Sequence, residues 1–359
     1  MHMKKGKIRG ISAAGLLAVP VMLSGCSLFG SQSSMDIDKP PAEVEQQMLN
    51  MTDGGAQTTT TTKTAAQTGP KTTSFLKNEK GLLAPVSLGI PEDKNTDSMK
   101  QALMALVTGG SYAKYVPKGF TGVLPKGTMV NKLTVDKDQK LAIVDFNSAF
   151  NQYNAPDERK ILEAVTWTLT GFTGVDKVQL MVEGKALTEM PLQGTPLNQP
   201  LTRSLGINLQ KGEGVALTNS TPVTVYFSTL SEDGVSYYVP VTRLVTPGNN
   251  KLYTALQELI HGPQQGDGLE QVMTDGTKVE SVKTAKDGTV TVSLQDDMFE
   301  KDEPVPNELL QSVVLSISEN AGNAKVKIDM NGESKVMGQD NQDYSKPVSR
   351  PDYINQIPL

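Results

Sequence analysis

Met99-Lys100-Gln101-Ala102-Leu103-Met104-Ala105-Leu106-Val107-Thr108-Gly109 and Leu252-Tyr253-Thr254-Ala255-Leu256-Gln257-Glu258-Leu259-Ile260-His261-Gly262 are one pattern written twice. In both, apolar residues fall at i, i+3, i+4, i+7 and i+8, which gathers them on one face of a helix, and a glycine follows at the left-handed position that closes one. The agreement is in spacing and chemical type rather than identity, as expected of two helices that fill the same groove. A duplicated packing unit predicts a duplicated surface.

The correspondence continues downstream. Leu133 and Val135, the turn Lys137-Asp138-Gln139-Lys140, then Leu141 and Ile143 answer to Val279 and Val282, the turn Lys286-Asp287-Gly288-Thr289, then Val290 and Val292. Each set reads as two alternating strands joined by a polar turn. A second helix carries Ile161, Leu162, Val165 and Leu169 in the first copy and Leu309, Leu310, Val313 and Ile317 in the second. Pro156 and Pro306, each followed by acid, mark its start. Lys177-Val178-Gln179-Leu180-Met181-Val182 and Lys325-Val326-Lys327-Ile328-Asp329-Met330 close the units as alternating strands. Upstream, Ala84-Pro85-Val86-Ser87 pairs with Val239-Pro240-Val241-Thr242, and a proline in a strand predicts a sheet edge. An earlier strand is clear at Val223, Val225 and Phe227 but faint near Phe75 and Leu76. The fold class expected is α+β: two tandem copies of a small domain of roughly 130 residues, with two helices on a mainly antiparallel sheet.

Before the first repeat lie Lys4, Lys5, Lys7 and Arg9, then an apolar run from Ile11 to Leu23 ending in Leu23-Ser24-Gly25-Cys26. The run is shorter than the ~20 residues of a membrane span, so residues 1–25 read as an export signal. Its last four residues resemble the lipobox of bacterial lipoproteins, in which the cysteine is lipidated; here that residue is Cys26. The chain contains 1 cysteine, so neither a disulfide nor a thiolate metal site is open to the folded part. Residues 26–74, with QTTTTTKTAAQTGPKTTS at 57–74, lack the large apolar groups needed to offset ordering entropy and read as a flexible tether. A chain of that length spans roughly 35 to 45 Å. The remaining expected boundaries are a first domain over 75–199, a semi-ordered linker over 200–221, a second domain over 222–343 and a loosely docked tail over 344–359.

The residues that carry chemistry are scarce. Outside the signal, His261 is the single histidine, and its place before Gly262 is that of a helix C-terminus. Asp296, Asp297, Glu300, Asp302 and Glu303 lack the glycine and alternate-ligand spacing of a calcium loop and read as a solvated acidic loop. No nucleophile elbow or phosphate-binding glycine loop is present, so no catalytic, cofactor-binding or metal-binding residue is assigned. A net charge of −5 and 5% aromatics exclude a phosphate-backbone footprint and argue against stacking platforms for nucleic acid or sugar. Trp167, the single tryptophan, lies off the apolar stripe, flanking the core or standing exposed at an interface. Tyr112, Tyr115 and Phe120 occupy the loop after the first helix, as turn packing or as a contact surface.

A lipobox, a threonine-rich tether and two units whose first helix ends in Leu-x-x-Gly and whose strand turn reads Lys-Asp-x-x-Leu/Val-x-Ile/Val resemble the GerM family of sporulation and germination lipoproteins. The resemblance covers essentially the whole chain. It implies a pair of GerMN domains similar in fold to the ring-building motifs of secretion systems. It implies a role on the outer face of the cell membrane and in the space around the forespore, assembling the channel complex that joins mother cell and forespore, with later effects on germination. Implied partners are the membrane, through Cys26, and other proteins of that complex. Docking of the two units on each other and ring-type self-association both stay open. The family supplies no catalytic residues. The rival reading is a solute-binding lipoprotein or a cell-wall hydrolase subunit.

Overall fold

The structure, a computed structural model, describes residues 69–92, 96–212, 214–300, 303–333 and 335–359. The export signal, Cys26 and the threonine-rich stretch up to residue 68 lie outside them. The first repeat opens with β1 (Lys71–Asn78) and β2 (Leu83–Gly89), antiparallel from Lys71 opposite Gly89 to Lys77 opposite Leu83. The faint first strand of the sequence is therefore a full one, and it takes in residues 71–74 that read as tether. Its buried side chains include Thr72 and Ser74, and the Ser74 hydroxyl donates to the Ala102 carbonyl at 2.9 Å. A strand that meets its helix through hydroxyls has no apolar alternation to reveal it, although threonine suits a half-buried pleat.

Helix α1 (Ser98–Ala105) follows, capped by Asp97, whose carboxylate accepts the Lys100 amide at 2.7 Å. Beyond β3 (Phe120–Thr121), a two-residue strand on the end of β1, come β4 (Val130–Asp136) and β5 (Leu141–Phe146), which pair antiparallel. Helix α2 (Glu158–Leu169) then crosses to β6 (Lys177–Val182), which lies parallel to β5, and β7 (Lys185–Ala186) completes the sheet in the order β4-β5-β6-β7. A helical crossover is what a parallel neighbour requires.

The second repeat follows the same course. After β8 (Gln210–Lys211), the hairpin of β9 (Thr221–Leu230) and β10 (Ser236–Val245) leads to α3 (Lys251–Ile260), capped by Asn250. The antiparallel pair β11 (Lys278–Thr284) and β12 (Val290–Gln295) comes next, then α4 (Asn307–Asn320) and β13 (Val326–Met330), parallel to β12. Even a register shift recurs, between Val130 and Lys132 in one copy and between Val279 and Ser281 in the other. Each repeat thus holds two small sheets rather than the single sheet expected, with antiparallel pairing predominant and one helix-crossed parallel pair in each.

One core gathers Phe75, Leu103, Leu106, Phe146, Ile161, Val165 and Val178; another gathers Phe227, Leu256, Leu259, Leu294, Leu310, Val313 and Ile328. Each such side chain contributes about 1.5–3 kcal/mol by leaving water. The second helices are unusual, because every residue of α2 from Ile161 to Leu169 and of α4 from Ser312 to Ser318 is buried. Helix α2 touches β1, β2 and β6, so it has no solvent face along that stretch. That is why Trp167, off the apolar stripe, is fully buried: it meets Phe75 edge-on at 5.5 Å and its Nε1 donates to the Gly206 carbonyl at 2.9 Å.

Candidate functional site between the two repeats

The site begins with two segments of the chain that read differently in the sequence and are counterparts in space. Pro200-Leu201-Thr202-Arg203-Ser204-Leu205-Gly206-Ile207-Asn208 lies in the expected linker, and Pro347-Val348-Ser349-Arg350-Pro351-Asp352-Tyr353-Ile354-Asn355 in the expected tail. Both keep Pro, an aliphatic residue, Arg and Ile-Asn at the same spacing. Leu201 bridges antiparallel to Val178 of β6, and Val348 does the same to Val326 of β13. The tail is therefore a packed strap, with Tyr344, Val348, Ile354 and Ile357 buried, and it corrects the expectation of loose docking. Linker and tail are the same element.

Each strap ends by inserting an asparagine between β2 and β10. Asn208 accepts the Leu83 amide at 2.8 Å and donates to the Leu83 carbonyl at 2.8 Å and the Pro240 carbonyl at 2.7 Å. Asn355 accepts the Tyr238 amide at 2.8 Å and donates to the Tyr238 and Pro85 carbonyls, both at 2.7 Å. Leu83 and Tyr238 hold the same position in their hairpins, as do Pro85 and Pro240, so exchanging the repeats maps one set of bonds onto the other. Both asparagines sit at positive φ, +47° and +58°, a region this side chain tolerates better than most. Pro85 lies on β2, the edge strand of its sheet, as expected, whereas Pro240 lies on β10, which stands between β8 and β9, short of the Arg243 and Leu244 that β8 pairs. The flanks of β2 and β10 face each other across the asparagines and are covered there.

Around this seam Phe120 meets Tyr237 edge-on at 5.2 Å, so part of the aromatic loop serves as a contact between repeats. On the opposite flank the two strap arginines converge. Arg203 lies over the Trp167 ring at 4.5 Å and pairs with Glu319 at 2.8 Å; Arg350 lies over the Tyr226 ring at 5.1 Å and pairs with Glu319 at 2.9 Å. The Tyr226 hydroxyl donates to Glu319 at 3.1 Å and accepts from Arg350 at 2.7 Å. Burial alone would push the Glu319 carboxyl up, but the two guanidiniums more than offset it and hold it below the usual range. Burial pushes the Tyr226 phenol up to about 12. The cluster lines a cleft of about 720 Å³ shared by both repeats.

The residues singled out from the sequence are scattered. Cys26 lies outside the described residues. His261 is the C-cap of α3, exposed, with Nδ1 3.6 Å from Glu258. Asp296 is not solvated: it is buried and accepts hydrogen bonds from Thr274 at 2.9 Å and Thr277 at 2.5 Å, while Asp297, Glu300 and Glu303 are exposed. Among the described residues, no three His, Cys, Asp or Glu side chains gather as a metal site, and no helix is long and apolar enough to cross a membrane. The arginine cluster was missed in the sequence; its only signal was the shared Pro-x-x-Arg-x-x-x-Ile-Asn spacing.

Comparison with known proteins places this architecture. A family model described as sporulation and spore germination, named Germane, matches residues 42–188 and 224–336. The spore germination protein GerM of Bacillus subtilis (strain 168) is 34% identical over 368 residues, covering 98% of this chain and 99% of that protein. The solved tandem GerMN domains of GerM from Bacillus subtilis superpose with a TM-score of 0.72 at 36% identity, over 80% of this chain and 99% of theirs. The first GerMN domain of that protein, solved separately, covers 37% of this chain at 40% identity with a TM-score of 0.35. The chain belongs to the Germane family of sporulation and spore germination proteins, and its two repeats are tandem GerMN domains.

Proposed function

We propose that the chain is a non-enzymatic, lipid-anchored envelope protein that supports sporulation and germination by helping to assemble the channel complex between mother cell and forespore. The observation that carries this reading is a likeness to GerM along the whole length of both chains, in a protein whose N-terminal sequence ends in a lipobox. In this reading Cys26 holds the molecule on the outer face of the membrane, residues 26–74 act as a tether, and the folded repeats reach other proteins of the complex. The relatives carry no enzymatic name, and the buried polar groups between the repeats bond to one another in ways that fix shape.

The open sheet edges suggest that contact with partners runs through faces. Strands β4 and β11 are the outer strands of their sheets, yet each is interrupted by a register shift and carries lysine, at Lys132 and at Lys278 and Lys283. Both devices discourage strand addition. The test is Cys26→Ala in a sporulating host, with fatty-acid labelling and recovery of channel components on the tagged protein. Loss of the label, of membrane retention and of spore yield is the expected result. Normal sporulation with an unlabelled protein, or tagged protein that never recovers channel components, would refute the reading.

A further inference from the structure

The exchange of repeats that maps Asn208 onto Asn355 fails at one point in the cleft. The hydroxyl of Thr168 accepts the Phe75 amide at 3.0 Å and that of Ser316 accepts the Tyr226 amide at 2.9 Å, which fixes the register between α2 and α4. Three residues further on, the first repeat has Gly171 where the second has Glu319. Two strap arginines therefore share one carboxylate. A Cβ built on Gly171 would meet the carbonyl oxygens of Thr168 and Trp167 at 3.2 and 3.5 Å and stand 3.9 Å from Nη2 of Arg203, so a side chain leaving this position starts out beside that guanidinium. That nitrogen has no hydrogen-bond partner among the described residues, nor has Nε of Arg350.

The charged side chains lining the cleft are Lys177, Arg203 and Arg350 against Asp176, Glu319 and Asp352, and the local surplus is that of two arginines on the one carboxylate of Glu319. Asp176 on the wall is paired with Lys140 at 3.0 Å, Asp352 is exposed at the rim, and Lys177 stands beside them. Lys251 also lies within the field of Glu319, on which Arg203 and Arg350 already converge. Guanidinium forks held by ring stacking are preorganised donors for a carboxylate. Thr173 and Ser349 also line the cleft, and its volume is that of a small-molecule site.

The geometry points to a carboxylate-binding site in this cleft, in which the ligand's carboxylate occupies the place left by Gly171, against Arg203 and Arg350. A free organic acid and the C-terminus of a peptide present the same group. The inference is independent of the sporulation role. Isothermal titration of the full chain in detergent, with succinate and with trialanine bearing a free or an amidated C-terminus, tests it. Binding by the free carboxylate with Kd below about 10 mM, at least about tenfold weaker in Arg203→Gln and in Gly171→Glu, is expected. Gly171 has no positive φ, and a Cβ there asks a few tenths of an ångström of give from the Thr168 carbonyl, so Gly171→Glu should stay folded, as circular dichroism checks, while supplying the missing carboxylate from within. Preference for succinate identifies the free acid as the source, and preference for trialanine the peptide end. Absence of binding by every probe, equal binding in Gly171→Glu, or equal binding by the amidated peptide would overturn the proposal.

Discussion

Replacing Asn208 with alanine removes one small side chain and opens three buried hydrogen bonds at once. The Leu83 amide loses its acceptor at 2.8 Å, and the Leu83 and Pro240 carbonyls lose their donor. An orphaned buried amide costs about 1–3 kcal/mol, and the carbonyls add to it. Alanine at φ +47° brings roughly 1 kcal/mol more, which glycine would not. Asn208→Ala should therefore cost about 3–5 kcal/mol and Asn208→Gly somewhat less. Asn355→Ala should behave alike, since it opens the mirrored set at Tyr238 and Pro85. Because both residues hold one seam, the double variant should cost less than the two single effects together. Urea unfolding is the assay, followed by circular dichroism for both repeats and by Trp167 fluorescence, which reports the first repeat alone. Undocking the repeats should also separate the two signals into distinct transitions. Losses below about 1 kcal/mol, or strictly additive losses within one shared transition, would refute the reasoning.

Two further outcomes follow from the same structure. Burial would push the Glu158 carboxyl up, but it accepts from the Thr195 and Tyr153 hydroxyls and the Gln193 and Thr195 amides, which hold it at about 2. A carboxyl whose folded value lies below its unfolded one stabilises at neutral pH, so about 3 kcal/mol should disappear as pH falls from about 4.5 to 2, and the urea midpoints of Glu158→Gln should lack that dependence. Gly206 adopts φ +80° and ψ −177° against Thr242, so Gly206→Ala should lower stability by about 2–4 kcal/mol in calorimetry, while the Gly81→Ala control, at the same φ but with open space around the added Cβ, stays milder.

The first helices, the hairpin turns and the closing strands were legible because each signals its packing through the spacing of its own apolar residues. Strand β1 was faint because it meets α1 through threonine and serine hydroxyls. Trp167 was ambiguous because the stripe rule assumes a solvent face, and α2 has none between Ile161 and Leu169. The straps were the largest omission. Each bears only a thin set of shared letters, and its bonds run to residues far away in the chain, from Asn208 to Leu83 and from Asn355 to Pro85. The convergence of Arg203 and Arg350 on Glu319 is likewise a product of that docking and has no local trace.

The mirrored asparagines imply something about how larger structures can be built from this chain. A contact in which each side offers the other the same surface is satisfied by a pair and stops there. The two halves have already made that match within one polypeptide, so each molecule is a closed couple before it meets any other. Any chain of neighbours must then grow from features in which the halves have diverged, such as the glycine of one that stands against the glutamate of the other.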